Sequence, residues 1–168
     1  MIGTAVDTNV VSELLLGGPS ASFAAAALTD ALVRGPLIVG AVVYAELQAA
    51  APQPDELDSL LAALSIEADF DLPTDGVRAA ASAWRAYLAR RRGAGGTYHC
   101  SACGHVNAGF RCAQCGTPIG GPRHILADFL VGAHALYRAS ALLTWDRGVY
   151  ATYFPDLQVL RPGAVPGG

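Results

Sequence analysis

An α/β fold built on a mainly parallel sheet is what this sequence predicts, and three observations predict it. Short apolar runs of strand length alternate with longer stretches of helical spacing. Two of those runs lead into an aspartate, Asp7 and Asp146. One segment, residues 97–121, breaks the pattern with a composition of its own. Strands alternating with helices imply a parallel sheet covered on both faces. With 168 residues, 52% of them hydrophobic and only 15% charged, the chain can bury one domain-sized core and is not expected to be disordered.

The first element is the stretch IGTAVDTNV (Ile2 to Val10), which reads as a short buried strand ending at Asp7. A helix over Val10 to Leu16 follows and is closed by Gly17, Gly18 and Pro19. A second helix starts at Ser20 or Ser22, runs through FAAAALTDALV and stops near Gly35 and Pro36, so the two form a helical hairpin. Leu37 to Val39 is a second buried strand, and GAVVYAELQAA returns to helix until Pro52 and Pro54. Leucines at 57, 60, 61 and 64 predict an amphipathic helix. Ile66 to Leu72 alternates acidic and apolar residues, as a strand near the sheet edge does. Thr74 to Arg92 is a long helix with Val77, Trp84, Tyr87 and Leu88 on its apolar side, and the glycines from Gly93 to Gly96 end it. After the odd segment the pattern resumes: helix RHILADFLVGAHALYR, strand ALLTWD, a short helix around Arg147 to Tyr153, and a last strand from Leu157 to Leu160.

Four acids share one setting. Asp7 and Asp146 end strands, Glu46 lies one turn into a helix that follows a strand, and Asp128 lies early in an apolar helix. Ligands of parallel α/β sheets sit at the carboxyl ends of the strands. Gathered there, the acids would repel one another, and a divalent cation removes that cost. Hard oxygen ligands of this kind suit Mg²⁺ or Mn²⁺, with water activation and phosphodiester chemistry as the use. Asp7, Glu46 and Asp146 can each also be read as helix caps or solvated acids. Asp128 is harder to place that way, because an unpaired carboxylate on an apolar helix face costs several kcal/mol.

The motifs AVDTNVVSELL, VVYAELQAA, RHILADFLVGAHAL and LLTWDRGVYATYFPDLQVL, in that order, resemble those of PIN-domain nucleases, and look closest to the VapC toxins of bacterial toxin–antitoxin pairs. The resemblance covers everything except the cysteine segment and the tail. It implies a three-layer α/β/α sandwich and a Mg²⁺- or Mn²⁺-dependent endoribonuclease whose metal-binding and catalytic acids are Asp7, Glu46, Asp128 and Asp146. Asn9 and Thr144 fall where the family places polar helpers. Homodimerisation and inhibition by a small antitoxin are implied as well. The expected organisation is a discontinuous nuclease domain (residues 1–96 and 122–163), the insertion (97–121) and a flexible tail (164–168).

The insertion carries Cys100-x2-Cys103, an eight-residue spacer, and Cys112-x2-Cys115. Two such turns facing each other make a tetrahedral four-thiolate site, so a small zinc ribbon is expected. Iron in a rubredoxin-like site and a pair of disulfides are the other readings, the last disfavoured in a cytosolic protein. The ribbon departs from the usual VapC pattern, in which a short loop joins these helices. It is either a stabilised loop or a device that guides RNA, meets the antitoxin or extends the dimer.

Net charge is −3, which gives no overall attraction to nucleic acid, and all 11 basic residues are arginine. A local phosphate-binding patch could come from Arg90, Arg91, Arg92, Arg111 and Arg123, or the helix end could simply be solvated. His134 reads as a packed helix histidine, Tyr44 as packing, and Trp84 and Trp145 as core or interface residues. The longest apolar run, Leu37 to Ala45, is too short to span a bilayer, and no basic region precedes the first apolar stretch, so a soluble, cytoplasmic protein without membrane contact is expected. Two rival functions remain: a non-toxin PIN nuclease of RNA maturation that binds RNA through the ribbon, and a catalytically silent zinc-dependent binding module.

Overall fold

The computed structural model describes residues 3–53, 55–93, 97–99, 106–108, 110–111, 114–115, 118–119, 125–146 and 148–163. The chain runs β1 (Thr4–Val6), α1 (Thr8–Leu15), α2 (Ala21–Arg34), β2 (Leu37–Val39), α3 (Ala41–Ala50), α4 (Glu56–Ala63), β3 (Ile66–Ala68) and α5 (Thr74–Gly93). It continues through β4 (Thr97–His99), β5 (Val106–Ala108), β6 (Phe110–Arg111) and β7 (Pro118–Ile119). It closes with α6 (Leu126–Arg138), β8 (Ala141–Leu143), α7 (Val149–Tyr153) and β9 (Gln158–Leu160).

Five strands form a parallel sheet in the order β3-β2-β1-β8-β9. The central β1 pairs Thr4 with Leu37 on one side and with Ala141 on the other. Every residue of β1, β2 and β8 is buried, whereas the two outer strands are partly exposed. That is the pattern of a parallel sheet covered by helices, whose inner strands must be apolar on both faces. Helix α6 packs on β1, β8 and α5, α2 packs on β2, and α7 packs on β9. The order brings β1 and β8 side by side although they are far apart in sequence, and so places the segments after Val6 and after Leu143 next to each other.

Phe129 is fully buried at the centre of an aromatic group, with Trp84 5.2 Å, Tyr87 5.5 Å and Tyr153 5.5 Å from its ring centroid. Trp84 is thus a half-buried residue packed against the core, in keeping with the expectation. Gly132, one turn further along α6, lets the Phe154 ring lie against the helix backbone, since a Cβ there would stand 2.4 Å from that ring. Gly132→Ala is thus expected to destabilise the protein by about 1–3 kcal/mol through overpacking, read as a lower denaturation midpoint.

Several expectations need correction. The strand ALLTWD ends at Leu143: Thr144 N still donates to Leu160 O, but its hydroxyl accepts from Asp146 N, and the Asp146 carboxylate binds the amides that open α7. Asp146 therefore sits in a loop rather than at a strand end. Val77 is 47% exposed and leaves the apolar side of α5, which Tyr87, Trp84 and Leu88 form as expected together with Ala80 and Ala83. Asp128 is half-buried in the first turn of α6, where it accepts a hydrogen bond from Ile125 N (2.7 Å). A carboxylate at that position is favoured by the helix dipole and pays no large burial cost, so the burial argument for it fails. The insertion, which stood out in sequence only by its composition and its cysteines, contains two antiparallel strand pairs, β4 with β5 and β6 with β7. Strands of two or three residues are too short to show an alternating pattern. Cys100, Cys103, Cys112, Arg123, Arg147 and the tail lie outside the described residues.

Candidate active site

Asp7 follows directly on β1 and is only 7% exposed. Its carboxylate is held from several sides. Oδ2 accepts hydrogen bonds from the Thr144 hydroxyl (2.6 Å), the Asn9 side-chain amide (2.8 Å) and the Tyr150 hydroxyl (3.4 Å), while Oδ1 accepts one from Thr8 N (2.8 Å). Burial pushes the Asp7 pKa up to about 6 against the opposing hydrogen bonds from Thr144 and Thr8, and the nearby charges of Asp128 and Glu46 add to the rise. Asp7 also meets the helix-capping reading, since it precedes α1 and binds its first amide. One side chain serves both purposes.

Thr144 is completely buried and links three parts of the site. Its hydroxyl donates to Asp7 and accepts from Asn9 Nδ2 (3.1 Å) and Asp146 N (2.9 Å). Asn9 completes the tie by accepting from Trp145 N (3.2 Å) at its Oδ1. The pairing of β1 with β8 makes this possible, because it sets the two post-strand segments side by side. Thr144→Val keeps the shape but leaves Asp146 N without this acceptor and takes from Asp7 its shortest donor, and is expected to lower Mn²⁺ affinity about 10- to 100-fold, as outer-shell changes typically do. Calorimetric titration of the purified variant checks this.

The remaining acids surround the same pole. Glu46 projects from α3, is exposed, and accepts a hydrogen bond from the Thr8 hydroxyl. Asp146 is half-buried, and its Oδ1 accepts from Gly148 N and Val149 N, both at 2.8 Å, at the start of α7. Tyr150, which the sequence reading passed over, is raised far above the usual phenol range by burial first and then by the charges of Asp7, Asp128 and Asp146, so it remains a donor. Each acid is engaged by its own donor, and no three His, Cys, Asp or Glu side chains among the described residues stand close enough together to hold one ion.

His134 is buried beneath Gly40, with Nε2 3.9 Å from the Asp69 carboxylate, and burial lowers its pKa. It is a packed histidine, as expected. Tyr44 donates to Asp58 (2.7 Å) and meets Phe70 edge to face, which fits the packing role expected of it. Arg90 is exposed and stands over the Tyr153 ring (5.4 Å). The other arginines of the expected phosphate patch lie outside the described side chains. Cys115 is exposed.

A family model described as PIN domain matches residues 4–110. Two solved structures are similar in fold. One is the structure of VapBC2 from Rickettsia felis bound to a DNA fragment from their promoter, at TM-score 0.57 and 14% identity, covering 94% of this chain and 97% of that one. The other is FitAB bound to an IR36 DNA fragment, at TM-score 0.59 and 16% identity, covering 98% of each chain. No curated protein matches the sequence significantly.

Proposed function

Because this chain belongs to the PIN domain family, we propose that its acidic pole is the active site of a metal-dependent endoribonuclease of the VapC toxin kind. One observation carries the reading: Asp7, at the carboxyl end of the central strand, is a buried carboxylate whose pKa is driven up by burial and by neighbouring acids, yet it is gripped by Thr144, Asn9 and Thr8. Burying an acid beside other acids is costly, and a purely structural site would do better with a neutral residue.

The donor set fits a hard divalent cation by its chemistry, four carboxylates around one pole, and the ion would draw them closer than they stand without it. Asp7, Glu46, Asp128 and Asp146 would supply the carboxylate oxygens that hold Mg²⁺ or Mn²⁺, with water completing the coordination. When bound, such an ion supplies charge neutralisation at the phosphodiester and lowers the pKa of the attacking water. The protein's own part is orientation. Thr144 and Asn9 fix the Asp7 carboxylate, Thr8 steadies the exposed Glu46, and the α7 amides hold Asp146. Hydrolysis breaks the P–O3′ bond and leaves a 3′-hydroxyl and a 5′-phosphate.

In the same reading residues 1–96 and 122–163 form the nuclease domain, and residues 97–121 form an insertion that binds one Zn²⁺ through Cys100, Cys103, Cys112 and Cys115. In sequence each C-x-x-C stands between the two strands of one antiparallel pair, β4–β5 and β6–β7, which is how ribbons present thiolate pairs. Arg90, Arg91, Arg92, Arg111 and Arg123 are assigned to RNA phosphates. By analogy with the VapBC2 and FitAB structures, the partner is a small antitoxin; a second copy of the chain is assigned on the sequence resemblance alone.

The test is incubation of purified protein with single-stranded RNA, with analysis of the product ends. Internal cuts bearing 5′-phosphates, abolished by chelation and restored by Mg²⁺ or Mn²⁺, are expected. Cleavage that persists after chelation, or products bearing a 2′,3′-cyclic phosphate, would contradict the reading.

A further inference from the structure

We infer that Tyr150 is a positioning residue for Asp7: its buried hydroxyl is the third donor to Oδ2, which commits that oxygen to the protein interior and leaves the spare acceptor capacity of the carboxylate on Oδ1. The inference rests on the reading of Asp7 as a metal-binding acid and adds a residue to which no role has been assigned.

The sequence DRGVYATYF starts a helix just after Asp146, and the amides of Gly148 and Val149 both bind the Asp146 carboxylate. Tyr150 follows in the first turn and is 3% exposed. A phenol hydroxyl buried that deeply has to find a partner, and this one lies 3.4 Å from Asp7 Oδ2. At the far end of the same helix Phe154 packs against Gly132 of α6, the helix that carries Asp128. One short helix is thus tied to Asp146 directly, to Asp7 through the phenol, and to the Asp128 helix through Phe154. It can hold three acid-bearing segments in fixed relation.

The hydrogen-bond count on Asp7 gives the consequence. A carboxylate offers about four acceptor sites over its two oxygens. Among the described residues Oδ2 takes three donors, from Thr144, Asn9 and Tyr150, whereas Oδ1 takes only Thr8 N. The carboxyl plane is therefore held against rotation, with Oδ1 as the oxygen available to a cation. Thr144 and Asn9 reach Oδ2 from the loops after β8 and β1, and Tyr150 adds a donor from a third element.

Tyr150→Phe retains the ring and its packing and removes only the hydroxyl. The experiment is calorimetric titration of full-length, chelator-treated protein with Mn²⁺, together with its melting temperature without metal and its kcat and KM for RNA. The expected result is a Mn²⁺ affinity lowered about 10-fold, at the modest end of outer-shell effects because the contact is long. The metal-free melting temperature should stay close to wild type, and the loss of cleavage at limiting Mn²⁺ should fall on kcat with KM for RNA unchanged. Unaltered Mn²⁺ affinity, with or without a lower melting temperature, overturns the positioning role and leaves Tyr150 as packing. Wild-type protein that binds no Mn²⁺, or Asp7→Asn that binds it as tightly as wild type, would instead overturn the reading of Asp7 and this inference with it.

Discussion

Stripped of divalent ions, the protein is expected to lose stability as the pH is raised from about 4 to about 7, and Asp7 is the cause. Its pKa is about 6 in the folded protein against an ordinary value of 3.8. Between those values the folded state keeps a proton that the unfolded chain has released. Stability then falls with rising pH, the reverse of the usual behaviour of a salt-bridged carboxylate. The cost is absent below the unfolded value and fully present above the folded one. A rise of this size corresponds to about 3 kcal/mol. Other groups titrate over the same range, and His134 acts in the opposite sense: burial lowers its pKa, so its contribution is lost as the pH falls. Comparison of wild type with Asp7→Asn by thermal or denaturant unfolding across this range cancels those groups and isolates Asp7. Added Mg²⁺ or Mn²⁺ should return the lost stability, and more of it at pH 7.5 than at pH 5, because cation and proton compete for the same carboxylate. A wild-type-minus-variant difference that does not change with pH would contradict the account.

The largest effect on chemistry is expected from Asp7→Asn itself. Cleavage should fall by at least about 10³-fold, because the substitution removes the anionic ligand at the centre of the cluster. The fold should survive. An asparagine can point its oxygen at Thr144, Asn9 and Tyr150 and its nitrogen at Thr8 N, giving up one good hydrogen bond, or the reverse at greater cost. The lost bond costs on the order of 1 kcal/mol, and relief of the buried charge at neutral pH offsets it. Parallel measurement of RNA turnover and melting temperature separates the two effects. A variant that has lost activity and also melts far below wild type would not count in favour of the assignment.

The elements that organise the site were legible because they obey simple rules. Leu37 to Val39 and Leu157 to Leu160 stand out as short apolar runs bounded by helix signals, and β2 and β9 occupy them almost residue for residue. The strand expected at the sheet edge over Ile66 to Leu72 is an outer strand, but it ends at Ala68 and buries only Ile66. The four acids and their two helpers were visible as polar residues set against apolar runs, and the structure draws Asp7, Asn9 and Thr144 into one hydrogen-bonded group. The rest depended on tertiary contacts. Asp128 sits in an apolar sequence, but its carboxylate lies at the helix start, where it binds Ile125 N, so its neighbours in sequence misstate its burial. Tyr150 could not be found at all, because its partner Asp7 is 143 positions away and nothing local distinguishes it from a core tyrosine. The ribbons of the insertion are too short to leave a periodic trace.

The central claim is that this acidic pole cuts RNA only with a divalent ion and only through Asp7. Its most direct test is one side-by-side assay of wild type and Asp7→Asn on single-stranded RNA, with Mn²⁺ and with chelator, on protein shown to be free of any co-purified partner. The account predicts cleavage in a single lane, wild type with Mn²⁺. Cleavage by Asp7→Asn at the wild-type rate, or no cleavage by wild type under any divalent ion, would contradict it.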